Sequence, residues 1–384
     1  MSTQVTVATV VAALESAYPP HLAESWDAVG LICGDPAEPV SQVAFALDCT
    51  DEVAQAAIDA GADMLVVHHP LLLRGVKGVP TTDPKGRIVH KLIRAGVALF
   101  AAHTNADSAR PGVNDILAEL LGVEAGAPLR GIPEPIDKWG FTVPADHAEA
   151  VKQAIFAAGA GQVGAYEQAG FEFQVTGQFK PMDHANPFSG TRGELERAEE
   201  LRIEFVAPQA KRERVRQALL AAHPYEAVAY DVVESHTDNP TLGIGRVGAL
   251  DTPMTLREFT QRVANRLPQT VWGVRAAGDP DTMINTVAVA SGAGDSFLGQ
   301  VARMDVDCFV TSDLRHHPVD EHLRAGGCAV IDTAHWASEF PWCEVAAGVL
   351  KKKIEDDGGV VDTTVIDLRT DPWTVHAMAE EQDK

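Results

Sequence analysis

The stretch Asp63-Met-Leu-Val-Val-His-His-Pro70 decides the fold class of this chain. It opens with a short apolar run, and two histidines follow that run directly. Runs of this length between helical patterns predict strands of a buried, mostly parallel sheet. Because α/β sheets build their sites at the carboxyl ends of strands, His68 and His69 are candidate ligands. Taken alone, the doublet also fits an exposed loop.

The first and last thirds of the chain share this alternation of short apolar runs and helical patterns. In the first third the predicted strands are Ser41–Asp48, Asp63–Val67 and Val97–Ala102, and the predicted helices are Asp51–Ala60, Gly86–Ala95 and Val113–Leu121. In the last third the predicted strands are Thr286–Ala290, Asp307–Thr311 and Cys328–Asp332, and the predicted helices are Phe297–Met304, Val319–Ala325 and one that reaches Lys351. The pattern predicts two related α/β halves, residues 1–130 and 241–384, that form one core domain.

The middle of the chain, residues 131–240, has a different pattern and is bracketed by the turn-rich stretches Gly131–Ile136 and His236–Pro240. It contains an internal repeat, because the helical stretch Val151–Ala158 recurs 64 positions later as Val215–Ala222. Each copy has a strand-like run on either side of its helix. Two β-α-β copies predict a ferredoxin-like α+β domain inserted into the core.

Two further motifs place a histidine four residues before a carboxylate, directly after a predicted strand. They are His103-Thr-Asn-Ala-Asp107 and His335-Trp-Ala-Ser-Glu339. Positions i and i+4 share one face of a helix, and imidazole with carboxylate suits zinc, iron or manganese. Each motif alone is typical of two paired side chains on the surface of a helix. Together with His68 and His69 they mark three strand ends, which predicts a dinuclear metal site.

Three other motifs leave alternatives open or are rejected. A second doublet, His316-His317-Pro318, also follows a strand, and spacing does not decide which doublet binds metal. The glycine-rich stretch Ser291–Ser296 fits either a phosphate loop at a helix N-terminus or a tight strand-to-helix turn. Gly243–Gly248 matches G-x-G-x-x-G, but a turn is predicted at Asp251–Pro253 and the next helix only near Leu256. No dinucleotide site is therefore expected.

Composition narrows the classes of function. The chain has 384 residues, which predicts two or three domains, and a formal net charge of −23 without a basic stripe, which makes nucleic acid an unlikely partner. Its five cysteines are scattered and form no C-x-x-C pair, so neither disulfides nor a thiolate zinc site is expected. An amphipathic N-terminal pattern without a signal sequence, and no apolar run of membrane-spanning length, predict a cytoplasmic protein.

The ordered motifs resemble those of the Nif-three-like dinuclear metal-centre family, also called GTP cyclohydrolase 1 type 2 homologs. The resemblance covers essentially the whole chain. Besides the histidine motifs above, it is carried by Trp26–Leu31, Gly34–Pro36 and Thr311–His316. The insertion resembles the PII-like (CutA-like) module of that family, on the pieces Gly164–Glu167, Gly177–Phe179 and Ala222–Glu226.

The resemblance implies two divalent metal ions, such as zinc, iron or manganese, bound in a toroidal homohexamer. The implied ligands are His68, His69, Asp107, His335 and Glu339. His103 is implied at the same site as a sixth ligand or as the catalytic proton carrier. His316 and His317 are implied to lie near the site without binding metal.

The chain departs from the family pattern at Ala28, at Ser312 and in Gln168–Gly170, and these departures bear on contacts with substrate rather than on ligands. The implied activity is hydrolysis of a nucleotide or phosphoester, including ring opening of GTP. The alternative is a non-enzymatic, metal-responsive hexameric scaffold or regulatory protein. A DNA-associated factor is a weaker hypothesis, because the negative charge of the chain opposes binding to phosphates.

Overall fold

The computed structural model describes residues 4–236 and 241–377, which divide into two compact units. One unit takes its residues from both ends of the chain, up to Ile132 and from Thr241 onward. The other begins at Pro133. Helices and strands are mixed in both units, so the predicted α/β class is confirmed. Of the predicted linker His236–Pro240, only His236 lies within the described residues.

The first sheet has five strands, and its centre comes from the predicted apolar runs. In spatial order the strands are Gly30–Cys33, Ala98–Ala101, Met64–Val67, Gln42–Ala46 and Asp362–Val365. All neighbours are parallel except Gly30–Cys33, which pairs antiparallel at one edge. The opposite edge strand, Asp362–Val365, comes from the far end of the chain and has no apolar run that would predict it.

The second sheet has six strands with the same parallel centre. In spatial order they are Val274–Ala277, Ala329–Thr333, Cys308–Ser312, Met283–Ala293, Arg246–Thr255 and Val123–Ala125. The edge strand Val123–Ala125 comes from the first third of the chain, so each sheet takes one edge strand from the other end of the unit. The predicted turn at Asp251–Pro253 is wrong, because these residues lie within a strand whose register shifts between Ala249 and Met254.

Twelve α-helices occur in the described residues. They are Val7–Ala17, Asp51–Asp59, Pro84–Ala95, Thr104–Ser108, Val113–Leu121, Ala148–Ala157, Arg212–Ala222, Leu256–Arg266, Leu298–Val301, His316–Arg324, His335–Glu339 and Trp342–Asp356. The helix Pro84–Ala95 shows why boundaries follow local chemistry: Asp83 accepts from the Gly86 N–H at its start, and Gly96 ends it in the left-handed region. The predicted helix Phe297–Met304 is instead a 3₁₀ turn followed by the short helix Leu298–Val301.

One hydrophobic core joins the two sheets. Side chains from alternate strand positions of both sheets contribute to it, including Val43 and Val66 of the first sheet and Val287 and Val310 of the second. Apolar faces of helices such as Val113–Leu121 complete this core. Because the two sheets share a core, the loops that follow their parallel strands lie close to each other.

A fully buried arginine ties the second sheet to the helix Val113–Leu121. Arg246 donates to both carboxylate oxygens of Asp115, over 2.6 and 2.7 Å. Its remaining N–H groups donate to the backbone carbonyls of Gly243, Gly245 and Ala109, each over 2.7 Å. The glycines of the rejected G-x-G-x-x-G motif therefore present carbonyls to this side chain instead of binding a dinucleotide.

The second unit, residues 133–236, is built from the repeated helices. Its elements run β-α-β-β-α-β, and the strands in spatial order are Tyr230–His236, Pro135–Pro144, Glu196–Pro208 and Gly170–Phe179. All neighbours are antiparallel. This is the element order of ferredoxin-like modules. Its PII-like character stays a prediction.

Candidate metal centre

His68 and His69 follow the strand Met64–Val67 of the first sheet. Their backbone N–H groups both donate to the carbonyl of Leu47, over 3.1 and 2.9 Å, which fixes the turn after the strand. The His68 side chain is fully buried and its ring lies 5.3 Å from that of Trp342. His69 is partly exposed, with its ring centre 5.1 Å from that of His68. Both rings therefore enter the space beyond the sheet.

His103 and Asp107 follow the neighbouring strand Ala98–Ala101. His103 is the residue before the short helix Thr104–Ser108, and its carbonyl accepts from the Asp107 N–H over 3.0 Å. This single turn places the two side chains on one face, as the four-residue spacing predicts. The Asp107 carboxylate is buried and accepts a hydrogen bond from the Ser291 hydroxyl over 3.2 Å.

His335 and Glu339 form the short helix after the strand Ala329–Thr333 of the second sheet. The side chain of Glu339 is buried beside Gly292, whose φ of +62° lies in the left-handed region. A Cβ at Gly292 would overlap Glu339 Oε1 and would lie 3.1 Å from His335 Nε2. The glycine-rich stretch thus allows close approach of the backbone to Glu339.

The six predicted side chains converge on one small volume between the sheets. His69 Nε2 and His335 Nε2 lie 3.0 and 3.1 Å from Glu339 Oε2. His68 Nε2 lies 3.8 Å from Glu339 Oε1 and 3.7 Å from Asp107 Oδ1. The ligand atoms of His68, His69 and His103 form another group within 4.8 Å.

The second histidine doublet lies elsewhere. His316 and His317 begin the helix His316–Arg324, and their rings contact each other at 5.0 Å. No group of potential ligands found within residues 4–236 and 241–377 includes either of them. The structure therefore favours His68 and His69 as the doublet at the candidate site.

Each of the four clustered imidazoles is held through Nδ1 by an oxygen atom outside the cluster. The partners are Ala102 O at 2.8 Å from His68, Asp48 Oδ1 at 2.8 Å from His69, Asp27 Oδ1 at 2.8 Å from His103, and Asp313 Oδ2 at 2.7 Å from His335. A backbone carbonyl can only accept, so His68 Nδ1 carries a proton and donates it. Its Nε2 is buried and has no hydrogen-bond partner among the described residues. Histidines that bind metal are oriented in this way.

The residues that hold the imidazoles were missed by the sequence analysis. Asp48 ends a predicted strand, so the same strand-end argument that selected His68 would have found it. Asp27 lies in the Trp26–Leu31 motif, where no periodic pattern marks it. Asp313 lies in a loop with a φ of +58°, an unusual conformation for a residue with a side chain.

The two buried carboxylates respond in opposite ways to their surroundings. Burial raises the pKa of Asp107, and the Glu339 carboxylate raises it further against the lowering effect of His68 and His103. Burial also acts to raise the pKa of Glu339, but the imidazoles of His335, His69 and His68 outweigh it and hold this pKa well below the usual range. Glu339 thus keeps a negative charge where water is scarce, and the surrounding imidazoles balance it.

The imidazoles around Glu339 take up protons when no other cation is present. Burial lowers the pKa of His69, but Glu339 and Asp48 outweigh it and raise the pKa to about 10. In the same way Glu339 and Asp313 raise the pKa of His335 to about 11. Protons in these positions neutralise Glu339, and a divalent cation would supply the same neutralisation.

The donor set fits divalent metal ions. Around an ion with bonds of about 2.1 Å, neighbouring ligand atoms lie about 3 to 3.5 Å apart. The observed separations between these nitrogens and oxygens, 3.0 to 3.8 Å, are close to that range. His68 Nε2 has no hydrogen-bond partner among the described residues and faces two carboxylates, and a cation between them would interact with all three groups. Nitrogen and oxygen donors accept several first-row metals.

Fold and site together define a class: α/β proteins with a histidine–carboxylate cluster between two sheets. The chain belongs to the Duf34/NIF3 (NGG1p interacting factor 3) family, whose model matches residues 5–372. It is 49% identical over 374 residues to a Mycobacterium leprae protein named GTP cyclohydrolase 1 type 2 homolog, covering 97% of this chain and 96% of that protein.

More distant relatives agree with this assignment. A Bacillus subtilis protein of the same name is 36% identical over 371 residues, covering 95% of this chain and 97% of that protein. The crystal structure of a Bacillus cereus protein related to NIF3 superposes with a TM-score of 0.85 at 35% identity, covering 98% of this chain and all of that one. The predicted family is therefore confirmed. No helix among the described residues has the length and apolar character needed to cross a membrane.

Proposed function

We propose that this protein is a hydrolase that depends on two divalent metal ions held by His68, His69, Asp107, His335 and Glu339. One observation carries the proposal: the two oxygens of Glu339 face two different groups of ligands. Oε2 faces His69 and His335, and Oε1 faces His68 together with Asp107. Glu339 would therefore help to hold both ions, one with each group of ligands.

When bound, such ions act as Lewis acids toward water and toward carbonyl or phosphoryl oxygens. The chain itself supplies orientation, because Asp48 and Asp313 fix the rings of His69 and His335 from outside. The proposed proton carrier is His103. Its Nδ1 is held by Asp27, whose pKa is raised by burial but lowered more strongly by hydrogen bonds from His103 and Thr104. An ionised carboxylate in this position orients the imidazole.

The proposed substrate is a nucleotide or a phosphoester. The names of the relatives support the nucleotide. The corresponding reaction takes two waters: the first adds to the imidazole ring of GTP and opens it to a formamide, and the second cleaves the formamide and releases formate. A pair of metal ions serves phosphoester hydrolysis equally well. The proposal includes the homohexamer that the family resemblance implies, which a mass measurement of the assembly of 40.9 kDa chains would test.

The test compares three single variants with the unaltered chain. Elemental analysis gives the ions per chain, and GTP and a panel of phosphodiesters are assayed with manganese, zinc or iron. His69→Ala and Glu339→Ala are expected to lose metal and turnover together. His316→Ala is the matched control, since it removes a histidine of the other doublet, outside the cluster.

The same experiment decides between the enzyme and its alternative. Turnover that survives in both His69→Ala and Glu339→Ala would show that the cluster is not the active centre. Two bound ions without turnover of any substrate would favour the metal-responsive scaffold. Fewer than one ion per chain would refute the metal site itself.

A further inference from the structure

A cavity of about 240 Å³ adjoins His69 and His335. Three tryptophans, Trp272, Trp336 and Trp373, line it together with Asp371. Trp373 and Asp371 belong to the last described stretch of the chain, which no motif of the sequence analysis includes. The cavity lies beside the candidate metal centre, so a molecule bound in it would reach the clustered imidazoles.

Asp371 is the unusual feature of this cavity. The residue is 8% exposed, and its Oδ2 is buried without a hydrogen-bond partner among the described residues. Its Oδ1 accepts only a long hydrogen bond of 3.5 Å from the Trp373 N–H. A buried carboxylate accepts hydrogen bonds and donates none, and leaving it unpaired is costly. Asp371, at the wall of this cavity, is therefore a hydrogen-bond acceptor for which the described residues supply no good donor.

The tryptophans set a second, independent requirement for a ligand of this cavity. Trp272 Nε1 is also buried and unpartnered within the described residues, and it can only donate. The Trp272 ring contacts Trp373 at 5.6 Å, and the Arg275 guanidinium lies 4.6 Å from its centre. Trp373 itself is 56% exposed and presents an open aromatic surface at the cavity. A ligand matched to these walls is planar and carries both donors and acceptors.

We propose that the cavity binds the base of a guanine nucleotide, with Asp371 accepting hydrogen bonds from its amino edge. Guanine has the required groups, since its exocyclic amino group donates and its O6 and N7 accept. Stacking of a base on an aromatic side chain adds affinity for any base, so Trp373 supplies binding and Asp371 supplies the preference. This inference rests on the proposed nucleotide hydrolase and names the part of the substrate that the cavity selects.

The experiment measures binding rather than turnover, using full-length protein both metal-free and loaded with manganese. GTP and ITP, which lacks the amino group, are titrated by calorimetry and by quenching of tryptophan fluorescence. The unaltered chain is expected to bind GTP at least tenfold more tightly than ITP. Asp371→Asn and Asp371→Ala are expected to remove that preference, because they lower the affinity for GTP more than the affinity for ITP, while metal content stays unchanged.

The control is Asp367→Asn, which removes an exposed carboxylate from the same segment and is expected to keep the preference. Equal affinities for GTP and ITP in the unaltered chain would overturn the inference, as would an Asp371 variant that retains the preference or loses metal. The melting temperature of Asp371→Asn distinguishes a structural role from a role in binding, because the substitution lowers it only if the carboxylate supports the fold. A preference for GTP without hydrolysis would leave this inference standing and refute only the hydrolase.

Discussion

Replacement of Gly292 by alanine tests the close approach on which the metal centre depends. Gly292 has a φ of +62°, and a residue with a Cβ loses about 1 to 2 kcal/mol in that region. The added methyl group would also overlap Glu339 Oε1, so the carboxylate must leave its present position among the clustered imidazoles. Even loss of a residue that only supports a ligand lowers metal affinity about ten- to a hundredfold. We expect at least that loss here.

Gly61→Ala is the matched control, since Gly61 has a φ of +70° and open space around its Cβ position. Both variants are expected to lose about 1 to 2 kcal/mol from backbone strain in the free energy of unfolding, measured by urea denaturation with a chelator present. Only Gly292→Ala is expected to lose metal affinity, measured by competition with a chromogenic chelator. Unchanged affinity in Gly292→Ala would refute the placement of Glu339 at the ions.

The remaining predictions concern the residues around the cluster and the core. Asp48→Asn and Asp313→Asn are each expected to lower metal affinity about ten- to a hundredfold, seen by the same competition assay, because these carboxylates orient the imidazoles of His69 and His335. Arg246→Met is expected to cost about 1 to 3 kcal/mol in urea denaturation, because the buried carbonyls of Gly243, Gly245 and Ala109 lose a hydrogen-bond donor; a loss under about 0.5 kcal/mol would contradict this. In protein freed of metal by a chelator, the raised pKa values of His69 and His335 stabilise the fold. This contribution is complete below about pH 6.5, the pKa of histidine in the unfolded chain, and it disappears as the pH rises toward about 10 to 11. Melting temperatures between pH 6 and 10 should therefore fall, while metal affinity rises because ligation needs neutral imidazoles.

The central strands were predictable because their environment is simple. Met64–Val67 and Ala98–Ala101 are buried on both faces, so each is a continuous apolar run. Asp362–Val365 joins the same sheet by pairing with Gln42–Ala46, over 300 positions away in the sequence. Its sequence, Asp-Thr-Thr-Val, is partly exposed and carries no such run. Pairing over that distance leaves no local signal.

The candidate ligands were predictable for a similar reason, and their supports were not. His68, His103 and His335 each follow a strand, and a rule about strand ends finds them without knowledge of the fold. The carbonyl of Ala102 holds His68, yet every residue has a carbonyl, so no side-chain pattern can mark it. Asp313 reaches His335 from a loop in a left-handed conformation that depends on the surrounding packing.

The late position of Asp362–Val365 bears on how the protein is made. A growing chain that has just passed Glu339 already contains every proposed ligand, but the edge of Gln42–Ala46 still lacks its neighbour. An open strand edge is a surface on which other chains pair and aggregate. Metal bound at that stage would stabilise a molecule whose first sheet is unfinished until Asp362–Val365 pairs with Gln42–Ala46.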